Sequence, residues 1–216
     1  MKYKTFAIIP ALNEEKTIEL VLKGIKNYVD GIILVDDGSK DNTAKLSEKY
    51  AHIIKHSLNQ GYDQSLNDGF KAAKEIGANI IITLDADGQH LAEDIPNLIN
   101  TIIKEEADLV IGKRPYKARF MECIFGYYGK RYGINDPLCG MKAYNIKVYN
   151  EIGFFDNINS IGTQLALTAS KRGYVVKEFP IQLNKRKDIP RFGRKIEANY
   201  KLFRAYLRLI KYLNRI

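Results

Sequence analysis

Long apolar runs are missing from this 216-residue chain. A helix needs roughly 18–20 consecutive apolar residues to cross a bilayer. The longest candidate, Ala78 to Leu84, has the length of a buried strand, so no membrane span is expected. Cysteine is scarce. Cys123 and Cys139 provide no disulfide framework, which makes a reducing cytoplasm the default compartment. The three histidines, His52, His56 and His90, are too scattered to suggest a zinc site. The N-terminus lacks a secretory pattern: Lys2 and Lys4 flank a tyrosine, and the apolar run stops at Pro10. Internal repeats and low-complexity linkers are also absent.

What is present is ordinary globular composition, 45% hydrophobic and 27% charged, at a length that fits one large domain. The net charge of +9 is unevenly spread. Residues 184–216 hold 11 of the 34 basic side chains and only two acids, Asp188 and Glu197, while residues 1–183 are neutral. A basic tail fits an anionic partner such as a membrane surface, a nucleic acid or an acidic substrate, and it equally fits a solvated helix.

Hydropathy alternates strand and helix through the first half. Strands are expected at Lys4–Ile9, Gly31–Val35, His52–Lys55, Asn79–Leu84 and Leu109–Gly112, with helices at Asn13–Asn27, Asn42–Tyr50, Gln64–Ile76 and Ala92–Glu106. Such units imply an α/β fold with a mostly parallel sheet and helices on both faces. Residues 113–133 then interleave basic and aromatic side chains. A turn at Asn135–Gly140, a strand at Met141–Tyr144, a helix near Gly162–Arg172 and a strand at Val175–Leu183 follow. Residues 1–193 are expected to form one domain. Residues 194–216 read as a C-terminal amphipathic helix, part of that domain or associated with a membrane.

In such sheets ligands bind beyond the carboxyl ends of the strands. Three polar clusters fall there: Pro10 to Glu15, Asp36 to Ser39 and Asp85 to His90. Asp85 and Asp87, one residue apart just past a strand, can aim two carboxylates at one hard cation. Mg2+ or Mn2+ is typically held by one or two carboxylates plus substrate phosphates. A lone pair of this spacing is more often a capping loop, but three clusters at one edge favour the metal. The Asp36-Asp37-Gly38-Ser39 segment fits a plain turn, and it fits acidic residues that hydrogen-bond a base or ribose. His90 is left outside the metal site.

The segments IIPALNEE, VDDGSKDNT, LDADGQH and DLVIGKR resemble the signature segments of family 2 glycosyltransferases with the GT-A fold, a Rossmann-like architecture. The later segments DPLCGMKAY, EFPIQ and KRKDIPRFGRK resemble that family's polyprenyl-phosphate branch, the dolichol-phosphate mannosyltransferases and polyprenyl-phosphate glucosyltransferases. The resemblance runs in order over nearly the whole chain. It implies inverting, metal-dependent transfer of a sugar from a GDP- or UDP-sugar. Carried over by position, Pro10, Leu12 and Glu14 contact the base, and Asp36 or Asp37 the nucleoside. Asp85, Asp87 and Gln89 meet the metal and diphosphate, and Arg114 and Arg186 meet phosphates of donor and acceptor. The chain departs from the family where Leu12 replaces a frequent tyrosine, where Tyr62-Asp63 replaces Lys-Gly, and in a shorter span from Arg114 to Asp136. With no tryptophan, the Gln-x-x-Arg-Trp motif of processive polysaccharide synthases is absent.

Many relatives that glycosylate hydroxyl groups carry a carboxylate base on the helix near 162–172. Here Gly162 to Leu167 holds no acid. A hydroxyl nucleophile needs a positioned base, whereas a phosphate is already anionic. A polyprenyl (dolichyl-type) phosphate is therefore the expected acceptor, with arginines and the metal carrying the chemistry. A phosphate-gripping cluster is expected at Arg186, Arg191 and Lys195. In the tail, Lys201, Arg204, Arg208, Lys211 and Arg215 mark one helical face, and Leu202, Phe203, Tyr206, Leu209, Ile210, Leu213 and Ile216 another. That pattern fits peripheral attachment to an anionic membrane at its cytoplasmic face, and it also fits packing on the sheet. Two rival readings are a family 2 enzyme with a hydroxyl acceptor and a non-catalytic nucleotide- or RNA-binding module. Nucleic acid is not expected: three carboxylate clusters repel a polyanion, and no RNA-binding signature is present.

Overall fold

A computed structural model describes residues 3–184 and 195–216. Arg186 and Arg191 lie outside these residues, as does the side chain of Lys195. The chain order is β1 (Thr5–Ala11), α1 (Ile18–Ile25), β2 (Gly31–Asp36), α2 (Thr43–Ser47), β3 (His52–Lys55), α3 (Tyr62–Glu75), β4 (Ile80–Thr83), α4 (Ile95–Ile103), β5 (Leu109–Lys113), α5 (Phe120–Gly129), β6 (Lys142–Asn145), α6 (Ile146–Ile152), α7 (Gln164–Lys171), β7 (Val176–Pro180) and α8 (Lys195–Leu213). Every strand expected from hydropathy is present.

The strands form one seven-stranded sheet in the order β3-β2-β1-β4-β6-β5-β7. Most pairs are parallel, and the continuously apolar β2 and β4 are buried on both faces, as a helix-covered sheet requires. The exception is β6, which runs antiparallel between β4 and β5. Nothing in its four residues signals direction. The consequence for the site is large. Thr83 pairs with Lys142. Continuing that register past the strand ends sets Asp85 opposite Gly140, so a turn that precedes β6 meets the carboxyl edge of β4.

Two helices were not legible in the sequence. The α5 segment, FMECIFGYYG, contains two glycines and four aromatics, all weak helix formers. It forms because Met121, Phe125 and Tyr128 are buried against the body. The α6 helix starts directly at the end of β6, with Asn145 as its cap accepting the Lys147 N–H. An aromatic cluster of Phe70, Tyr144, Tyr149 and Phe155 ties α3 to β6 and to the segment after α6, with ring centroids 4.8–5.2 Å from Phe70.

The tail helix α8 packs on the protein. Ala198, Leu202, Ala205, Leu209 and Leu213 are buried. The Tyr206 ring meets Phe125 and Tyr128 at 5.4 and 5.6 Å. The apolar stripe read from the sequence is thus mostly core. A second stripe, Ile196, Tyr200, Phe203 and Leu207, faces outward, 45–87% exposed, beside the exposed basic face. Among the described residues no helix is long and apolar enough to cross a membrane.

Candidate active site

A cleft of about 500 Å³ opens at the carboxyl ends of β1, β2 and β4. Its lining includes Pro10, Leu12, Glu14, Asp37, Asp85, Asp87, Gln89 and Arg114, so eight of the sequence-expected residues converge. Asp36 does not line it. That carboxylate is fully buried, accepts the Ser39 N–H at 3.1 Å, and its Oδ2 has no hydrogen-bond partner among the described residues.

The first wall is two loops laced together. Asn13, at φ +52°, donates its N–H to Ser39 Oγ (2.8 Å) and accepts the Lys40 N–H (2.8 Å). The Glu14 N–H donates to Thr43 Oγ1 at 2.7 Å. Gly38 turns at φ +77° with its Cα against the Leu58–Asn59 backbone, where a β-carbon would stand 2.9 Å from a carbonyl carbon. Asp37 then anchors the next loop. It accepts the Gln60 and Gly61 N–H groups (2.7 and 2.9 Å) and contacts His56 Nδ1 at 2.8 Å. The other ring nitrogen of the buried His56 meets Asp68 at 3.0 Å. The sequence offered no signal for this bridging histidine, which joins residues on three different elements.

The loop anchored by Asp37 delivers Tyr62 into the cleft as the first residue of α3. Its hydroxyl donates to Asp85 Oδ1 at 3.4 Å. Burial, then the charges of Asp85 and Asp63, push the Tyr62 pKa above the ordinary phenol value. The Asp85 N–H donates to His90 Nδ1 at 3.3 Å, and Asp87 accepts the Gln89 N–H at 3.0 Å. Gly140 presses on the other side of Asp85, whose carboxylate lies 2.3–2.6 Å from where a β-carbon on Gly140 would be.

Among the described residues no three His, Cys, Asp or Glu side chains gather into a ready-made metal cage. Asp85, 38% exposed at its side chain, and Asp87 offer hard oxygen donors inside an open cleft. That donor set suits Mg2+ or Mn2+ completed by substrate phosphates, and it does not suit zinc.

The opposite wall is a charged lattice. Arg114 donates to Asp136 through Nε and an Nη, both at 2.8 Å, and stands 3.4 Å from Glu122. Burial opposes its charge, yet the Asp136 and Glu122 carboxylates raise its pKa above the ordinary guanidinium value. Glu122, almost fully buried, also accepts from Arg119 (2.8 Å) and from the Ala118 N–H (3.0 Å). Glu178 on β7 holds the turn by accepting the Asn135 and Asp136 N–H groups, each at 2.7 Å. Asp136→Ala would leave the Arg114 cation with Glu122 alone, 3.4 Å away, so the expected loss of folding stability is toward the lower end of about 3–5 kcal/mol. The urea midpoint checks it, and Asp136→Asn should lose less.

Arg119, Glu122, Leu138, Ile161, Lys201 and Leu202 also line the cleft, and none is expected at the site from the sequence. Arg119 lay in the basic–aromatic run, and Lys201 on the tail's basic face. No pattern indicated that α5 and α8 would fold over the cleft.

The sheet and its edge cleft define the GT-A class of α/β fold. The glycosyl transferase family 2 profile matches residues 6–158, and the chain belongs to that family. It is therefore a sugar-transferring enzyme. Over 128 residues it is 40% identical to the UDP-N-acetylglucosamine–dolichyl-phosphate N-acetylglucosaminyltransferase of Methanococcus voltae, covering 50% of this chain and 51% of that protein. It is 27% identical to the polyprenol monophosphomannose synthase of Mycolicibacterium smegmatis, covering 85% of this chain and 78% of the other. Among solved structures it resembles glucosyl-3-phosphoglycerate synthase of Mycobacterium tuberculosis, in complex with Mn2+ and UDP-glucose. The TM-score is 0.77 at 18% identity, over 97% of this chain and 78% of that one.

Proposed function

We propose that the protein transfers a hexose or N-acetylhexosamine, with inversion, from a GDP- or UDP-sugar to a polyprenyl phosphate at an anionic membrane surface. The observation that carries this reading is the division of the cleft. One side presents the Asp85 and Asp87 carboxylates, and the other presents the cations Arg119 and Lys201. Glu122, the carboxylate on that second side, is already engaged by Arg114 and Arg119, so it is poorly placed to take a proton from a hydroxyl. On α7, Gln164 to Ala169 are buried and supply no acid. An acceptor that arrives as an anion needs no base.

A divalent ion on Asp85 and Asp87, when bound, supplies positive charge for the leaving diphosphate. Pro10, Leu12 and Glu14 shape the base pocket, Asp37 reaches the nucleoside, and Gln89 the diphosphate. Arg119 and Lys201 orient the acceptor phosphate. Arg114 holds Glu122 and the Asp136 turn in place, and Arg186 is assigned to phosphate binding on the resemblance alone. The relatives acting on dolichyl and polyprenyl phosphates support the acceptor class.

The α8 helix belongs to the catalytic domain and also meets the membrane. The outward stripe of Ile196, Tyr200, Phe203 and Leu207 enters the interface, with Arg204, Arg208, Lys211 and Arg215 over anionic headgroups. Each cation near such a surface is worth about 1 kcal/mol. The test uses labelled GDP- and UDP-sugars, Mn2+ and polyprenyl phosphate in vesicles with or without phosphatidylglycerol. Label is expected in a chloroform-soluble, mild-acid-labile product. Changing the four cations to Gln is expected to weaken binding to anionic vesicles at least tenfold, while turnover of a short soluble acceptor stays unchanged. Label found only on water-soluble hydroxyl acceptors would overturn the acceptor assignment.

A further inference from the structure

Ile161 stands at φ +59°, in the left-handed region. For a β-branched residue this is an outlier, because the branch crowds its own backbone. Such a conformation persists only where the surroundings over-determine it, and it marks functional sites. Here the surroundings are explicit. The Ile161 and Gly162 N–H groups donate to the two oxygens of the buried Asp63, at 3.0 and 2.6 Å. The buried Lys142 ammonium donates to the Gly162 carbonyl at 3.0 Å. Just upstream, Asp156 gathers the Ile158 and Ser160 N–H groups at 3.1 Å. Asp63 on α3, Lys142 on β6 and the loop's own Asp156 thus hold one loop in place.

All this polar machinery delivers an apolar side chain to the cleft. The Tyr62 ring lies against Gly162, 3.2 Å from where a β-carbon there would be, and the Tyr62 hydroxyl reaches Asp85. Ile161 thus lines the same cleft as Asp85, and its neighbour Gly162 is one side chain, Tyr62, away from that carboxylate. Leu138 and Leu202 add further apolar lining.

We infer that Ile161 is a specificity-determining residue whose strained backbone fixes an apolar wall that keeps water from the sugar's reacting carbon. This inference rests on the glycosyl-transfer reading above. In transfer, an acceptor phosphate oxygen bonds to the anomeric carbon as the bond from that carbon to the diphosphate oxygen breaks. The nucleoside diphosphate leaves with the electron pair. Water attacking the same carbon gives free sugar and the same diphosphate, and its proton goes to solvent. A phosphate monoester is a scarce nucleophile beside molar water, so the wall decides how much donor is wasted.

The test is the ratio of free sugar released to sugar transferred, with Mn2+, nucleotide sugar and polyprenyl phosphate. Ile161→Asn is smaller, but it tolerates positive φ and wets the wall. Its hydrolysis-to-transfer ratio is expected to rise roughly tenfold, a change of 1.4 kcal/mol in relative barriers, with Tm unchanged or higher. Ile161→Val keeps the wall apolar, so its ratio should stay within about twofold of the unaltered chain. If the asparagine variant misfolds, Ile161→Gly, unstrained at this φ, carries the same test. An unchanged ratio in an active, folded Asn or Gly variant overturns the inference alone. If the unaltered chain neither transfers sugar from nor hydrolyses any donor, the glycosyl-transfer reading fails and takes this inference with it.

Discussion

Asp87→Ala is expected to abolish sugar transfer, lowering kcat/KM by at least about 10²–10³-fold, because the charge developing on the leaving diphosphate loses its counterweight. The effect should be specific to chemistry and donor binding. Asp87 sits in a loop beyond β4 rather than in the apolar core, so the thermal midpoint of the free protein should stay close to that of the unaltered chain. The donor's contribution should change instead. A ligand at a hundred times its Kd stabilises a protein by about 2.7 kcal/mol. With nucleotide sugar and Mn2+ together, that increment should appear in the unaltered chain and vanish in Asp87→Ala. Asp85→Ala should behave alike, with an added loss because the Tyr62 hydroxyl donates to the Asp85 carboxylate. Full turnover of either variant in excess chelator would sink the metal assignment.

Gly140→Ala, one methyl group in a turn, is expected to cost about 10²-fold or more in kcat/KM. The new β-carbon would stand 2.3 and 2.5 Å from the Asp85 carboxylate oxygens. No real contact is that short, so the carboxylate must swing away from its present seat. Gly140 cannot retreat freely, because its carbonyl accepts the Thr83 hydroxyl at 2.7 Å. A shift of about 1 Å in a group that positions a reacting diphosphate is enough for that loss. The split between parameters is informative: the KM for donor should rise and the Mn2+ requirement should move to higher concentration. Unaltered Mn2+ dependence in a folded Gly140→Ala would show that Asp85 does not need this seat.

Much of the carboxylate-bearing wall of the cleft was legible in the residues alone. Alternating apolar strands and helices imply a parallel sheet, and in such sheets polar clusters after the strands share one edge. Pro10, Glu14, Asp37, Asp85, Asp87 and Gln89 reached the cleft for that reason. Asp36 shows where the rule stops. It and Asp37 are chemically identical neighbours, yet consecutive residues leaving a strand point to opposite sides, and Asp36 turned into the interior. The opposite wall of the cleft was far less legible. Arg119, Ile161, Lys201 and Leu202 come from segments with no shared motif, and the pairing of Arg114 with Asp136 has no local signal.

The sequence by itself determined what could be built from local periodicity and short motifs: the order of strands and helices, the edge that gathers carboxylates, and the excess positive charge of the tail. Tertiary structure alone decided the rest, for a physical reason. Strand direction, helix docking and backbone strain depend on contacts between residues far apart in the chain, and no local pattern encodes them. The reversal of β6 seats Gly140 against Asp85, 55 residues away by the same numbering. Asp63 clamps Ile161 across a separation of 98 residues. On α8, Leu202, Leu209 and Leu213 of the expected apolar face are buried and Tyr206 packs on Phe125 and Tyr128, while Phe203 of that face joins Ile196, Tyr200 and Leu207 outside.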